Sequence, residues 1–229
     1  MQAARTQGPK VVDRLTTARH RVARVGIVLL LIALAGAVGL ALGVLCTQGG
    51  LDRLLQYDAA VFLRLNTALD STSIDFIMMR LSASGSLILP IAALCIYWLF
   101  TGQQRRGVVL AMAALALVGV VDSSGTALKK LVNRTRPCAV VAGTRIVSPC
   151  AGSPSFPSNH AANAFAVAGF LAVYDRRLAW AALSIAVLVS YSRVHLGVHY
   201  PLDVLAGAIL GITLGACAGM VVRRLSKSP

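Results

Sequence analysis

The sequence predicts an all-α protein, a polytopic membrane helix bundle with six transmembrane helices and an interfacial amphipathic helix. Three observations carry this. Of 229 residues, 57% are hydrophobic and 13% charged, where an ordinary soluble domain has about 25% charged residues. The apolar residues come in blocks long enough to cross a bilayer. The basic residues gather at the ends of those blocks, so the net charge of +14 reads as membrane topology and not as a nucleic-acid footprint. Glutamate is absent.

Residues 1–24 form a basic tail carrying Arg5, Lys10, Arg14, Arg19, Arg21 and Arg24. Val25–Cys46 is the first span. It exceeds the ~7–15-residue apolar core of a cleaved signal peptide, and Leu45 is too large for a lipoprotein cleavage site at Cys46. Residues 47–80 mix polar and apolar positions. Leu51, Leu54, Leu55, Val61, Leu63 and Leu65 predict an amphipathic helix resting on the lipid surface, with partner binding as the alternative. Ser82–Phe100 is the second span and ends in Tyr97-Trp98, as an interfacial belt requires. Gly107–Leu128 is the third, with Asp122, Ser123 and Ser124 expected to face the bundle interior. A polar loop runs from Lys129 to Ser158. His160–Val173, Leu178–Tyr191 and Val204–Val222 complete the six. The fourth and fifth are short, so their ends are expected to run into the flanking segments. A single membrane domain over residues 25–222 thus lies between the tail at 1–24 and a second basic tail at 223–229.

With the N-terminus in the cytoplasm, the inside segments 1–24, 101–106, 174–177 and 223–229 hold 13 of the 22 Lys and Arg residues, as the positive-inside tendency requires. Both termini are then cytoplasmic, and the polar loop faces outward. Cys46, Cys95 and Cys217 lie within apolar runs and are expected to be buried packing residues. Cys138 and Cys150 share the outer loop, where an oxidising compartment would allow a disulfide. No Cys/His spacing of a metal site appears.

Three separated segments carry chemistry, all on the outer face. The first is Lys129 with Arg136-Pro137. A basic run beside a span is usually a topology feature, but here it lies outside, where positive charge is disfavoured, so a bound phosphate is the better reason for it. The second is Pro157-Ser158-Asn159-His160, directly before an apolar helix. Ser158 or Asn159 can cap that helix, whose N-terminal amides favour an anion, and His160 can serve as a general acid. Simple capping is the other reading. The third runs from Ser192-Arg193 to His199 and Asp203. A carboxylate beside an imidazole fixes its tautomer, and an oriented histidine can attack phosphorus. An ordinary helix-start carboxylate beside an interfacial histidine is the alternative.

Together these segments resemble the type 2 phosphatidic acid phosphatase family of integral membrane lipid phosphatases, which shares its site with vanadium haloperoxidases and glucose-6-phosphatase. The family pattern is Lys-x6-Arg-Pro, then Pro-Ser-Gly-His, then Ser-Arg-x5-His-x3-Asp. Lys129, Arg136 and Pro137 meet the first part, and Ser192, Arg193, His199 and Asp203 meet the third. Asn159 replaces the glycine of the second. The resemblance runs from about Lys129 to the sixth span.

It implies a catalytic set of His199 as nucleophile, Asp203 as its orienting carboxylate and His160 as acid, then base. Lys129, Arg136, Ser158 and Arg193 would bind the phosphate oxygens. Asn159 would donate its backbone N–H while its side chain narrows the site. His195 is read as space-filling or headgroup-contacting. Asn163 is read as a helix–helix hydrogen bond, with support of His160 as the alternative. Lys130, Arg134 and Arg145 are either a positive funnel around the site or solvated charges. No cofactor or metal is expected, because cations and a helix N-terminus can hold the charge of phosphoryl transfer and Asp203 is the one carboxylate in the set. The expected activity is hydrolysis of a lipid phosphomonoester or pyrophosphate through a phosphohistidine on the periplasmic face of a bacterial inner membrane. Undecaprenyl pyrophosphate is the leading substrate. Phosphatidic acid, phosphatidylglycerol phosphate, lipid A phosphates, or transfer of the phosphate to another lipid are the alternatives.

Overall fold

The computed structural model describes residues 49–83, 104–174 and 176–225. The tails, the first span and nearly all of the second therefore lie outside the described residues, as do Cys46 and Cys95. Residues 56–225 belong to one compact unit; residues 1–55 form another, of which 49–55 are described. The described residues contain helices and no strand: α1 Gly50–Thr67, α2 Thr72–Leu81, α3 Gln104–Val132, α4 Pro137–Val140, α5 Asn159–Ala172, α6 Arg176–His195 and α7 Pro201–Leu225.

Three stretches, Gly107–Val140, Arg176–His195 and Pro201–Leu225, are long and apolar enough to cross a membrane, with mean hydropathies of 2.0, 1.3 and 2.1. Many of their large side chains point outward. Met112, Leu115, Leu188, Leu205, Ile209 and Val221 are all exposed. Such a surface is unfavourable in water and ordinary against lipid tails.

The short helix α5 is the centre of the unit, packing most extensively on α7, then on α6 and α3. From Ala161 to Leu171 only Asn163 is not buried, the pattern of a helix that is apolar all round. Its partner α7 places Gly207, Gly211, Gly215 and Gly219 at four-residue intervals along the shared face. A methyl group built on them would meet Ser158 O at 2.5 Å, Ala162 O at 2.1 Å, Ala166 O at 2.1 Å and the Val173 side chain at 2.9 Å. The two backbones therefore touch directly. Small residues permit this close approach, which drives helix association in lipid, where no hydrophobic force acts between helices.

Helix ends set the direction of the loops. After Val132 the chain turns at Asn133, whose φ of 47° is the left-handed conformation common at a helix C-terminus, and its N–H bonds Lys129 O at 2.9 Å. Pro137 and Pro201 each open a helix, where proline's missing N–H costs nothing. α6 extends four residues beyond the predicted Tyr191 to His195, so the short fifth span does run into its flanking motif.

α1 covers most of the predicted amphipathic segment. In α1 the buried residues are Asp58, Phe62 and Asn66, while Leu51, Leu54, Leu55 and Val61 are exposed. The outward leucines are the face that a helix resting on lipid would present, while Asp58 and Asn66 bond groups of the loops and of α6 and α7. Two expectations are corrected: on α3, Ser123 is exposed and not turned into the interior, while Asp122, also exposed, is bonded by Asn159 of α5. The Ser123 and Ser124 hydroxyls instead bond the carbonyls of Gly119 and Val120 one turn back, each at 2.8 Å. Cys217 is also exposed and not buried, because α7 turns its glycine face to α5.

Candidate active site

The three motif segments meet at one end of the bundle and are pinned to each other through the backbone. Lys129, in the last turn of α3, donates from Nζ to the carbonyls of Pro154, Ser155 and Pro157 at 3.0, 3.4 and 2.7 Å. Arg136 donates from Nε to Ser153 O at 2.7 Å and from Nη1 to Val198 O at 2.9 Å. Ser158 N–H bonds Asp203 O at 2.9 Å. First binds second, first binds third, and second binds third.

The cations are held by carbonyls, which offer dipoles but no charge. Lys129, Arg136 and Arg193 sit close enough to repel one another, and among the described residues none of them has a carboxylate within ion-pair distance. Arg193 Nη1 donates to Ser82 Oγ, while its buried Nε has no partner. Concentrated positive charge with no matching carboxylate is what a multivalent anion needs. The N-terminus of α5 points into the same region. Ser158 caps it by accepting the Ala161 N–H at 3.4 Å, and its first-turn amides add partial positive charge.

His199 is almost wholly buried. Its Nε2 lies 3.2 Å from Arg136 Nη1. A guanidinium only donates, so Nε2 carries the lone pair and the proton sits on Nδ1. Nδ1 faces Asp203 Oδ2 at 3.5 Å, long for a hydrogen bond but close for electrostatic attraction. Burial pushes the imidazole down from 6.5 to about 3, because the charged form is poorly solvated there. The ring is therefore neutral with a lone pair on Nε2, the form a nucleophile requires. His160 opens α5, half-buried, beside the Ser82 backbone and within the field of Arg193 and Arg136.

Asp203 is fully buried and held on both oxygens: Oδ1 by Arg134 Nη1 at 2.8 Å, Oδ2 by Tyr200 N–H at 2.9 Å. Arg134 also pairs with Asp58 at 2.7 Å and lies 3.8 Å over the Tyr200 ring. It is neither a free funnel charge nor a solvated one. Arg145 is likewise paired, gripping Asp75 through two bonds of 2.7 and 2.6 Å and Asp70 at 2.9 Å.

The structure thus gathers Lys129, Arg136, Ser158, Asn159, His160, Arg193, His199 and Asp203. One of them behaves differently from expectation. The Asn159 side chain does not narrow the cleft; it turns to α3, donating to Asp122 Oδ1 at 2.7 Å. Gly125 makes room for it, since a methyl group there would meet Asn159 Oδ1 at 2.4 Å. His195 is buried with Nε2 at 2.8 Å from Asp75 Oδ1, in line with a space-filling role. Asn163 Oδ1 is buried without a partner, so the helix–helix bond expected of it is not made through that atom. Cys138 and Cys150 form a disulfide across the loop. Sequence reading missed Asp58, Asp75 and Asn66. The one signal was their placement as polar residues on two amphipathic helices, α1 and α2.

Comparison with known proteins places the chain in a family. The chain is 33% identical over 119 residues to the bacitracin transport permease protein BcrC of Bacillus licheniformis, covering 52% of this chain and 58% of that protein. It is 29% identical over 153 residues to undecaprenyl-diphosphatase BcrC of Bacillus subtilis, covering 66% and 73%. It thus spans less than two thirds of the first relative's length. The solved PAP2-type phosphatidylglycerolphosphate phosphatase of Bacillus subtilis has the same fold, with a TM-score of 0.63 at 24% identity over 84% of this chain and 94% of that one. The PAP2 superfamily model matches residues 106–226, a stretch that runs from the start of α3 to the end of α7 and holds every motif residue, and on that match the chain belongs to the PAP2 superfamily.

Proposed function

We propose that the chain is a membrane lipid phosphate phosphatase that works through a phosphohistidine at His199. The observation that carries this is a neutral imidazole whose Nε2 lone pair faces Arg136, one of three clustered cations that, among the described residues, have no carboxylate within ion-pair distance. A phosphoryl group entering the cluster exchanges the carbonyl partners of Lys129 and Arg136 for its own oxygens. The His199 Nε2 lone pair attacks phosphorus, and the bond to the leaving oxygen breaks. His160 protonates that oxygen, then takes a proton from the water that cleaves the N–P bond. Asp203 stabilises the imidazolium that forms. Lys129, Arg136, Arg193, Ser158 and the Asn159 amide hold the equatorial oxygens. The charge is balanced without a metal, so turnover is expected to survive a chelator.

The substrate we favour is undecaprenyl pyrophosphate, cleaved to undecaprenyl phosphate and inorganic phosphate. The names of the relatives, three of them undecaprenyl-diphosphatases, support the class. In this reading the domain is residues 25–222, with six spans, α1 and α2 at the interface, both tails in the cytoplasm and the site on the outer face of the inner membrane. Transfer of the phosphoryl group to a second lipid uses the same intermediate.

A panel of lipid phosphates and pyrophosphates, assayed with the purified protein and a labelled donor, tests this. Release of free phosphate from the pyrophosphate, abolished by His199→Ala, is expected. Label passing only to another lipid would make the chain a transferase, and no label leaving any donor would refute the assignment.

A further inference from the structure

We infer that Asp58 and Arg134 are positioning residues of this reaction, acting on His199 through Asp203. The inference rests on the role proposed for His199. Asp58 lies in α1, outside the 106–226 stretch that defines the family, and nothing in its surroundings touches the phosphate cluster directly. Yet both of its oxygens are committed to the machinery. Oδ2 pairs with Arg134 Nη2 at 2.7 Å, and Oδ1 accepts the Leu202 N–H at 2.9 Å. The first bond sets the Arg134 fork; the second sets the first turn of α7, one residue before Asp203.

Arg134 divides its fork between two carboxylates, Nη2 to Asp58 and Nη1 to Asp203 Oδ1. Its flat face rests on the Tyr200 ring, which packs edge-on against Phe62 from the same face of α1, with ring centroids 5.6 Å apart. The guanidinium therefore has one orientation. With Oδ1 of Asp203 taken by Arg134 and Oδ2 by the Tyr200 N–H, the carboxylate cannot rotate, and Oδ2 is the oxygen that faces His199 Nδ1. That holds the proton on Nδ1 and leaves the lone pair on Nε2. A planar, two-pronged cation is needed for this; a lysine point charge would attract both carboxylates without fixing their planes. Asp58 is 5% exposed, Asp203 is fully buried and the Arg134 side chain is 16% exposed, so water does not readily replace any of these partners.

The test is a double-mutant cycle in the full-length purified protein. Asp58→Asn is expected to lower kcat by about ten- to a hundredfold with KM changed less than about threefold, the signature of an interaction that matters in the transition state. Asp203→Asn lowers kcat further, and the Asp58→Asn/Asp203→Asn double variant turns over no more slowly than Asp203→Asn alone, because both act on one element. Asp58→Glu restores part of the loss. Wild-type kcat in Asp58→Asn, or a loss that multiplies in full with that of Asp203→Asn, would overturn the inference. If Asp58→Asn does not fold, Arg134→Lys enters the same cycle with the same two outcomes. The ¹⁵N shifts of the His199 ring report its tautomer without any turnover. An unchanged Nδ1-protonated ring in Asp58→Asn, or in Arg134→Lys, refutes the coupling even if no lipid phosphate proves to be a substrate; a shifted tautomer in a chain that hydrolyses nothing would refute the phosphatase reading alone.

Discussion

Two histidines four residues apart have been given the same companions and opposite lives. His195 faces Asp75, which is gripped by Arg145; His199 faces Asp203, which is gripped by Arg134. In the first set the imidazole nitrogen nearest the carboxylate is Nε2, at 2.8 Å, and the ring is closed in among Tyr191, Leu196 and the α2 side chains. Asn66 fastens the same region by bonding the carbonyls of Arg145, Val194 and His195 and the Arg145 N–H. In the second set Nδ1 faces the carboxylate and Nε2 looks out at Arg136, a cation with no carboxylate within ion-pair distance among the described residues. A His–Asp–Arg constellation is therefore not by itself a reactive one. What separates the two is whether the second ring nitrogen meets uncompensated positive charge.

The sharpest way to break this contrast is to exchange the losses. His199→Ala should reduce phosphate release by more than about 10⁴-fold and yield no acid-labile phosphoprotein in a trapping experiment. His195→Gln, which keeps a donor for Asp75, should retain turnover to within about tenfold. Equal loss in two well-folded variants would erase the distinction. Next comes Asp75→Asn, whose effect should be on stability and not on kcat, with Tm lower by about 5 °C at neutral pH. The Arg145 guanidinium holds the Asp75 carboxyl down at about 2 instead of 3.8. Its stabilising contribution is therefore complete above pH 3.8 and is lost as pH falls through about 2. Thermal scans of wild type and variant should converge there; a gap that stays constant down to that pH would show that the pair contributes nothing electrostatic.

A smaller effect distinguishes the rings directly. His199 has its folded value near 3 because burial disfavours the imidazolium. The unfolded chain takes up this proton first, so the stability His199 contributes is whole above pH 6.5 and declines as pH falls from there toward 3. In a ring-selective NMR titration the His199 signals should stay unchanged between pH 8 and 5, and a midpoint near 6.5 would contradict the buried, neutral nucleophile. The smallest change should come from Asn159→Gly, which restores the usual family residue. It removes the bond to Asp122 at a cost of about 1 kcal/mol and should alter kcat/KM by less than about tenfold, read from the rate on the favoured lipid. A larger change would mean that the tie to α3 is part of the phosphate site.

Much of this site was legible in the chain because its chemistry sits at fixed short spacings. Lys129 to Arg136-Pro137, Ser158 to His160 and Arg193 to Asp203 each fall at the end of an apolar block, and the topology alone put them on one face. The polar partners in α1 and α2 were not legible. Asp58, Asn66 and Asp75 lie between 70 and 144 residues from the groups they hold, and polar residues on an exposed helix ordinarily face water. Here Asp58 is turned inward because Arg134 and the Leu202 N–H supply what water would have given. The same cause misled the reading of Arg134 and Arg145, whose counter-charges are absent from their own segments. Asn159 followed a different rule. Its position at the start of α5 was legible, but a side chain's direction depends on the gap that Gly125 leaves on another helix.

The glycine seam between α5 and α7 makes the reaction centre vulnerable from a distance. Ser158, Asn159 and His160 are carried by the first helix and Asp203 by the second, so the spacing of two backbones is the ruler that sets the site. At Gly211 and Gly215 one added carbon would land 2.1 Å from a carbonyl, and the helices would have to part. A random search for inactive variants should accordingly return alanine and serine at these mid-helix positions, among changes that never touch a phosphate.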